Sequence, residues 1–178
     1  GGGDAEGLDA YFACARDTAG ARPLEMTKWF DTNYHYLVPE LAPGQRFRAR
    51  PAHWVEQLEQ ARALGVETRP VMVGPATLLL LSKGLPRPLD ALDALMPVYA
   101  ELLSALVAAG AREVQIDEPC LALDRSDAEL DAILPAWRAL AEGAGLEVCL
   151  ATYFAGLRGR ALDEVLTLPV AEVHLDLV

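Results

Sequence analysis

The chain has few basic residues and few cysteines, and each shortage excludes a class of protein. It carries 26 acidic against 15 basic residues, a net charge of −11, so its surface repels nucleic acid and anionic lipid at long range. We therefore expect neither nucleic acid nor a membrane as a partner. The three cysteines, Cys14, Cys120 and Cys149, are odd in number and scattered, which favours a reduced, cytoplasmic protein.

Long apolar runs and glycine-rich phosphate loops are also missing. The longest apolar run, Ala76–Leu81 with its neighbours, falls well short of the roughly 20 residues that a membrane span needs. No basic start precedes an apolar segment, so we expect no secretory signal. No predicted strand leads into a glycine-rich loop, which argues against a dinucleotide-binding fold. A length of 178 residues with 52% apolar residues predicts one domain with one core.

After a flexible lead over Gly1–Gly7 and a helix over Leu8–Arg16, apolar segments of strand and helix length alternate along the chain. This alternation predicts an α/β fold with right-handed βαβ units and a parallel sheet. Pro97 predicts a kink or a break in the longest helix. The predicted strands are Thr68–Val73, Glu113–Ile116, Leu146–Thr152 and Glu172–Leu177, and the later helices are Pro51–Leu64, Leu89–Ala109, Asp127–Ala141 and Gly159–Leu166.

The segment Leu24–Glu40 mixes charged, amide and aromatic side chains without helix or strand periodicity. We expect Arg22–Phe30 to be extended and the aromatic residues after it to form a long functional loop. Rigid aromatic rings beside a few polar groups suit a ligand pocket, which needs stacking surface and orienting contacts. An irregular core strand explains the same composition, and the residues alone do not decide between the two.

Four blocks resemble, in order, the N-terminal half of cobalamin-independent methionine synthases, the 5-methyltetrahydropteroyltriglutamate–homocysteine methyltransferases. The first and most specific is the signature block LEMTKWFDTNYHYLVPE. It is followed by RPVMVGPATLLLLSKG, VQIDEPCLALD and ATYFAGL, the last of which leads to VHLDLV. The resemblance covers nearly all of the chain from Tyr11 onward.

The resemblance implies a partial (β/α)₈ TIM barrel: residues 1–178 would be a fragment of the N-terminal barrel, with about five βα units beginning at the signature block. The whole enzyme would transfer a methyl group from 5-methyltetrahydropteroyltri-L-glutamate to L-homocysteine. Its zinc, which activates the homocysteine thiol, would be bound in the C-terminal barrel and not by this chain. That barrel is an expected partner, and the open sheet edges of a five-strand fragment predict self-association.

The resemblance implies one substrate-binding residue, Lys28, for the polyglutamate tail of the folate. A compact ammonium on a flexible stem suits a mobile chain of carboxylates. The alternative is a surface lysine that pairs with Glu25 or Asp31. No catalytic residue is expected within this chain.

A second group of residues is expected to shape a cleft, namely Asp117, Glu118, Trp29, Tyr34, His35 and Tyr153. Asp117 and Glu118 end a strand, so one carboxylate should face the mouth of the barrel and the other its wall. Each acid either orients a ligand or has a structural role, and the structural role is favoured. The histidines and cysteines lack metal-ligand spacing, so we expect no metal site.

Two other functions are compatible with these residues. The chain could be a stand-alone, non-catalytic binding module descended from such a domain. It could also be a separate barrel lyase or decarboxylase that uses Asp117 or Glu118. The first differs from the synthase interpretation in lacking a second barrel, and the second predicts turnover by this chain alone.

Overall fold

The computed structural model describes residues 8–16 and 22–177, so the expected lead Gly1–Gly7 lies outside the described residues. The chain divides into two compact units, and each is treated by itself. A smaller unit lies within Gly1–Pro43 and Leu81–Leu85, and a larger unit comprises Gly44–Leu80 and Pro86–Val178.

In the smaller unit, helix α1 (Leu8–Ala15) precedes an antiparallel hairpin of strands β1 (Met26–Lys28) and β2 (His35–Leu37). The predicted helix is confirmed to within one residue. The predicted extended segment Arg22–Phe30 contains β1. The prediction of a long loop after it is wrong, because His35–Leu37 forms β2 and pairs with β1 across a short turn. This hairpin is the structure of the signature block.

The larger unit alternates strands and helices as the sequence predicted. Its described strands are β3 (Val71–Val73), β4 (Glu113–Asp117), β5 (Glu147–Ala151) and β6 (Glu172–His174). Its described helices are α2 (Ala52–Ala63), α3 (Pro75–Leu80), α4 (Leu92–Ala108), α5 (Asp127–Gly143) and α6 (Gly159–Val165), with 3₁₀ turns at Pro88–Ala91 and Pro119–Ala122.

The four strands of the larger unit form one parallel sheet in the order β3-β4-β5-β6. Strand order therefore follows chain order, without the reversal that marks a doubly wound sheet. Right-handed crossovers that all advance in the same direction place their helices on the same face. The expectation of five consecutive parallel strands is wrong within the described residues, because the signature block pairs antiparallel with itself.

The two faces of this sheet differ in chemistry because alternate residues point to opposite sides. The helix-covered face is apolar and buried, with Val114, Ile116 and Leu150 at the centre of the core. The opposite face, called the polar face below, carries Gln115 and Asp117 of β4, which are only half-buried. A parallel strand buried on both faces would be apolar throughout, so this alternation marks an accessible surface.

Helix α4 passes through Pro97, so of the kink or break predicted there, the break is absent. The stretch Pro88–Ala108 is long and apolar enough to cross a membrane by length and composition, which was not predicted from the sequence. In the larger unit, however, Leu102, Leu103 and Leu106 of this helix are buried. That arrangement is typical of a core helix of a globular domain.

Candidate functional site

Lys28 and His35 occupy directly opposed positions at the end of the hairpin. Cross-strand partners in an antiparallel pair share one face, so the ammonium and the imidazole project to the same side. Both residues are exposed. The hairpin therefore presents Lys28 beside a second nitrogen group on an accessible surface.

The turn that joins the two strands is fixed by local hydrogen bonds. The hydroxyl of Thr32 donates to the carbonyl of Trp29 at 2.6 Å, and the backbone N–H of Trp29 donates to the carbonyl of Tyr34 at 2.7 Å. Phe30 adopts φ = 51°, a left-handed conformation that is uncommon for a bulky residue. The edges of Phe30 and Tyr36 meet Trp29, with ring centroids 5.1 and 5.5 Å apart. Trp29 is therefore half-buried among aromatic rings.

Lys28 does not form the ion pair with Glu25 or Asp31 that the sequence left open. Glu25 forms an ion pair with Lys83 instead. Among the described residues, Lys28 forms no hydrogen bond or ion pair with Glu25 or Asp31. The alternative in which Lys28 pairs with one of these acids is wrong, and the residue is exposed. Tyr34, the other residue expected in this segment, is 77% exposed.

In the larger unit, Asp117 is the centre of a polar cluster at the carboxyl end of β4. Its two carboxylate oxygens accept from Gln115 Nε2 at 2.8 Å and from the Tyr153 hydroxyl at 3.0 Å. The register places Asp117 in one row with Ala151 and His174. Carboxyl ends of parallel strands are where α/β proteins build ligand sites. The structure thus brings Asp117 and Tyr153 together.

Glu118 points to the opposite side and is completely buried. Its carboxylate accepts from the backbone N–H groups of Ala76 and Thr77 and, at 2.8 Å, from the indole of Trp137. The thiol of Cys120 lies 3.4 Å away. Burial raises the pKa of the Glu118 carboxyl, and the hydrogen bonds from Thr77, Trp137 and Ala76 lower it in part. Opposite orientation of the two acids was predicted correctly, and Glu118 is part of the core.

The space around Glu118 is shaped by a glycine. A Cβ on Gly74 would lie 2.4 Å from a carboxylate oxygen of Glu118, closer than van der Waals contact allows. Burial also raises the pKa of Tyr99, with Glu118 as the second cause. The Tyr99 hydroxyl donates to the carbonyl of Val73 at 2.6 Å. Gly74 is therefore required by the close approach of a buried acid.

An ion-pair network on the polar face was not predicted from the sequence. Arg69 Nη2 lies 2.5 Å from Glu113 and 2.9 Å from Glu172, so one guanidinium links β4 to β6. A signal was present in Glu113-Val-Gln-Ile-Asp117, where every second residue is polar. Strict alternation of this kind indicates that one face of the strand is not apolar.

Among the residues that the structure describes, no group of three or more His, Cys, Asp or Glu side chains is arranged to hold a metal ion. Cys120 and Cys149 are both buried, as expected for small residues. Cys149, however, lies opposite Gln115 in the register and therefore on the polar face. The candidate residues thus form two groups in separate units, Lys28 with Trp29, Tyr34 and His35, and Asp117 with Tyr153.

Comparison with known proteins identifies the class to which this fold and these residues belong. Residues 2–178 match the family model described as "Cobalamin-independent synthase, N-terminal domain". The chain therefore belongs to this family, as its signature blocks indicated.

Curated relatives are similar over nearly the whole chain. Proteins named 5-methyltetrahydropteroyltriglutamate–homocysteine methyltransferase are 48% identical in Salinibacter ruber and 51% identical in Streptomyces avermitilis. These alignments cover 96% and 97% of this chain but only 24% and 23% of the relatives. A relative of the same name in Caulobacter vibrioides is 52% identical over 89% of this chain. The chain thus spans about a quarter of the length of the curated relatives it matches.

Proposed function

We propose that this chain is the N-terminal part of a cobalamin-independent methionine synthase. The whole protein would transfer a methyl group from 5-methyltetrahydropteroyltri-L-glutamate to L-homocysteine in the cytoplasm. The match of residues 2–178 to the family's N-terminal domain supports this proposal most strongly. In this assignment the chain supplies a scaffold and a binding surface, and the C-terminal barrel is its partner.

We propose further that residues 1–178 contribute to a (β/α)₈ barrel. The sequential strand order of the larger unit supports this, because a barrel winds in one direction whereas an open doubly wound sheet reverses. The polar face would then face the barrel interior and the apolar face the ring of helices. Asp117 and Tyr153 would lie at the end of the barrel where ligand sites form.

Lys28 is proposed to bind the polyglutamate tail of the folate. Two observations support this role, namely its exposure on the hairpin and the pairing of Glu25 with Lys83. An ammonium without an internal carboxylate partner can interact with ligand carboxylates at a low desolvation cost. Trp29 would hold the turn, and His35 and Tyr34 would flank the tail.

Zinc is proposed as the metal of the whole enzyme, where it would lower the pKa of the homocysteine thiol. The described residues of this chain do not fit a zinc site, and we assign none of them a step that involves the metal. Their contribution is to bind and orient the folate.

The experiment is a methyl-transfer assay without cobalamin. The whole protein should form methionine from homocysteine and the triglutamate folate, and the 178-residue chain alone should form none above a no-protein control. Methionine formation by the chain alone, or none by the whole protein with zinc supplied, would contradict the proposal.

A further inference from the structure

A cleft of about 570 Å³ lies in the larger unit, between the segment that follows β4 and the segment that follows β5. One wall runs from Leu121 to Leu130 and the other from Ala155 to Ala161. Loops at the carboxyl ends of adjacent parallel strands commonly form ligand sites, and this volume is typical of a small-molecule site. None of the residues assigned above to folate binding lines the cleft.

The two walls are held together by ion pairs. Arg160 Nη2 lies 2.5 Å from Asp131, and Arg160 Nε lies 2.5 Å from Glu164, so the guanidinium connects α5 with α6. Arg125 Nη1 pairs with Glu129 at 3.0 Å, and Glu129 also forms a reciprocal cap with Ser126 at the start of α5. The shape of the cleft is therefore set before any ligand arrives.

Two charged residues of the cleft remain outside this network. Within the described part of the chain, Arg158 and Asp124 form no ion pair or hydrogen bond through their side chains. Both are exposed, and they line the same cleft from opposite walls. The cleft thus offers one unpaired cation and one unpaired anion.

The rest of the lining indicates what kind of molecule would complement these charges. The other charged lining residues are paired, Arg160 with Asp127 and Arg125 with Glu129. Of the two unpaired residues, Asp124 disfavours a simple anion and Arg158 disfavours a simple cation. A zwitterion satisfies both groups without net charge. Leu121, Leu123 and Leu130 also line the cleft and add an apolar surface.

We propose that this cleft binds a free α-amino acid with an apolar side chain, its carboxylate on Arg158 and its ammonium on Asp124. Arg158 can donate two parallel hydrogen bonds to a carboxylate, and Asp124 can accept from an ammonium. The apolar side chain would lie against the leucines. This site is independent of the methyl transfer proposed above.

The test is isothermal titration of the purified chain with L-leucine, with two of its analogues as probes. 4-Methylpentanoate lacks the ammonium, and 3-methylbutylamine lacks the carboxylate. We expect saturable binding of L-leucine, about tenfold weaker or undetectable binding of either analogue, and weaker binding of glycine. Absence of saturable L-leucine binding at millimolar concentration, or equal binding of an analogue, would overturn the proposal.

Variants test whether Arg158 and Asp124 bind the two charged groups of the amino acid. Arg158→Gln and Asp124→Asn should each weaken L-leucine binding about tenfold, and Arg158→Lys should retain part of it. Arg87→Gln and Asp163→Asn are matched controls, because both residues lie outside the cleft lining, and they should bind normally. Circular dichroism identifies any variant that fails to fold. If Arg158→Gln does not fold, partial L-leucine binding by Arg158→Lys tests the role of Arg158 instead. Unchanged binding in both Arg158→Gln and Asp124→Asn would rule out this site.

Discussion

The indole N–H of Trp137 donates a 2.8 Å hydrogen bond to the fully buried carboxylate of Glu118. This bond joins the middle of α5 to the end of β4. The same carboxylate accepts hydrogen bonds from the backbone N–H groups of Ala76 and Thr77 at the start of α3. A single acid therefore connects three elements of the core, and leaving these donors unpaired is costly in a buried site.

Glu118→Gln should lower the free energy of unfolding by about 1–3 kcal/mol, because an amide nitrogen cannot accept a hydrogen bond, whereas both oxygens of the acid can, protonated or not. Glu118→Ala should cost more, about 3–5 kcal/mol, since it leaves the donors unpaired and adds a cavity. Urea denaturation measures both. Glu142 is an exposed residue on α5, the helix that carries Trp137. Glu142→Gln serves as control and should change stability by less than about 0.5 kcal/mol. Equal stability of Glu118→Gln and the control would exclude this role.

The raised pKa of Glu118 predicts a pH dependence of stability. Because burial raises the pKa above that of a free glutamate, about 4.3, the native state retains its proton to higher pH than the unfolded chain. The associated stabilisation is complete below the unfolded-state pKa and is lost as pH rises through the folded-state pKa. The stability of the wild type relative to Glu118→Gln should therefore decrease from pH 4 upward. A difference that rises with pH across urea titrations would show a lowered pKa instead.

Under the proposed function, Lys28→Ala in the whole protein should raise KM for the triglutamate folate about fivefold and leave kcat nearly unchanged. Loss of a contact made equally in the ground state and the transition state has this kinetic form. The effect should shrink as salt rises, because the lysine is exposed. Arg87→Ala removes an exposed cation of the other unit and should leave KM unchanged. An equal KM change for monoglutamate and triglutamate folate would show that Lys28 does not bind the polyglutamate tail.

Tyr153→Phe should lower the free energy of unfolding by about 1 kcal/mol, since it removes the 3.0 Å hydrogen bond to Asp117. A double-mutant cycle with Asp117→Asn isolates this contact. We expect a coupling energy of about 0.5–1 kcal/mol in thermal or urea unfolding. Strict additivity of the two substitutions would mean that the contact does not contribute to stability.

A side chain covers part of the outer edge of β3, where another chain could otherwise pair. This should limit the expected self-association. Pro70 and Gly74 bond to β4, so Val71 and Val73 direct their backbone groups outward. The carbonyl of Val71 accepts from the Trp54 indole at 3.1 Å. Trp54→Phe removes this donor and should increase the average mass in light scattering as concentration rises. His53→Ala, an exposed neighbour, is the control, and equal masses for all three proteins would contradict the prediction.

Local sequence determined most of the secondary structure of the larger unit. The apolar runs that became β4 and β5, and the periodic segment that became α5, each carry their own signal of strand or helix. The opposite orientation of Asp117 and Glu118 also follows from sequence, because adjacent residues of an extended chain point to opposite faces. The family signature, which depends on residue identity alone, was equally readable.

Tertiary structure decided the features that depend on which segments meet. Charge alone allows Glu25 to pair with nearby Lys28, and only the fold brings it to Lys83, 58 residues along the chain. The hairpin in the signature block required pairing of Lys28 with His35, for which the irregular pattern between them gave no periodic signal. Arg69 could bridge Glu113 and Glu172 only after four strands had aligned in register. Local periodicity specifies single elements, whereas long-range pairs depend on packing that no short segment contains.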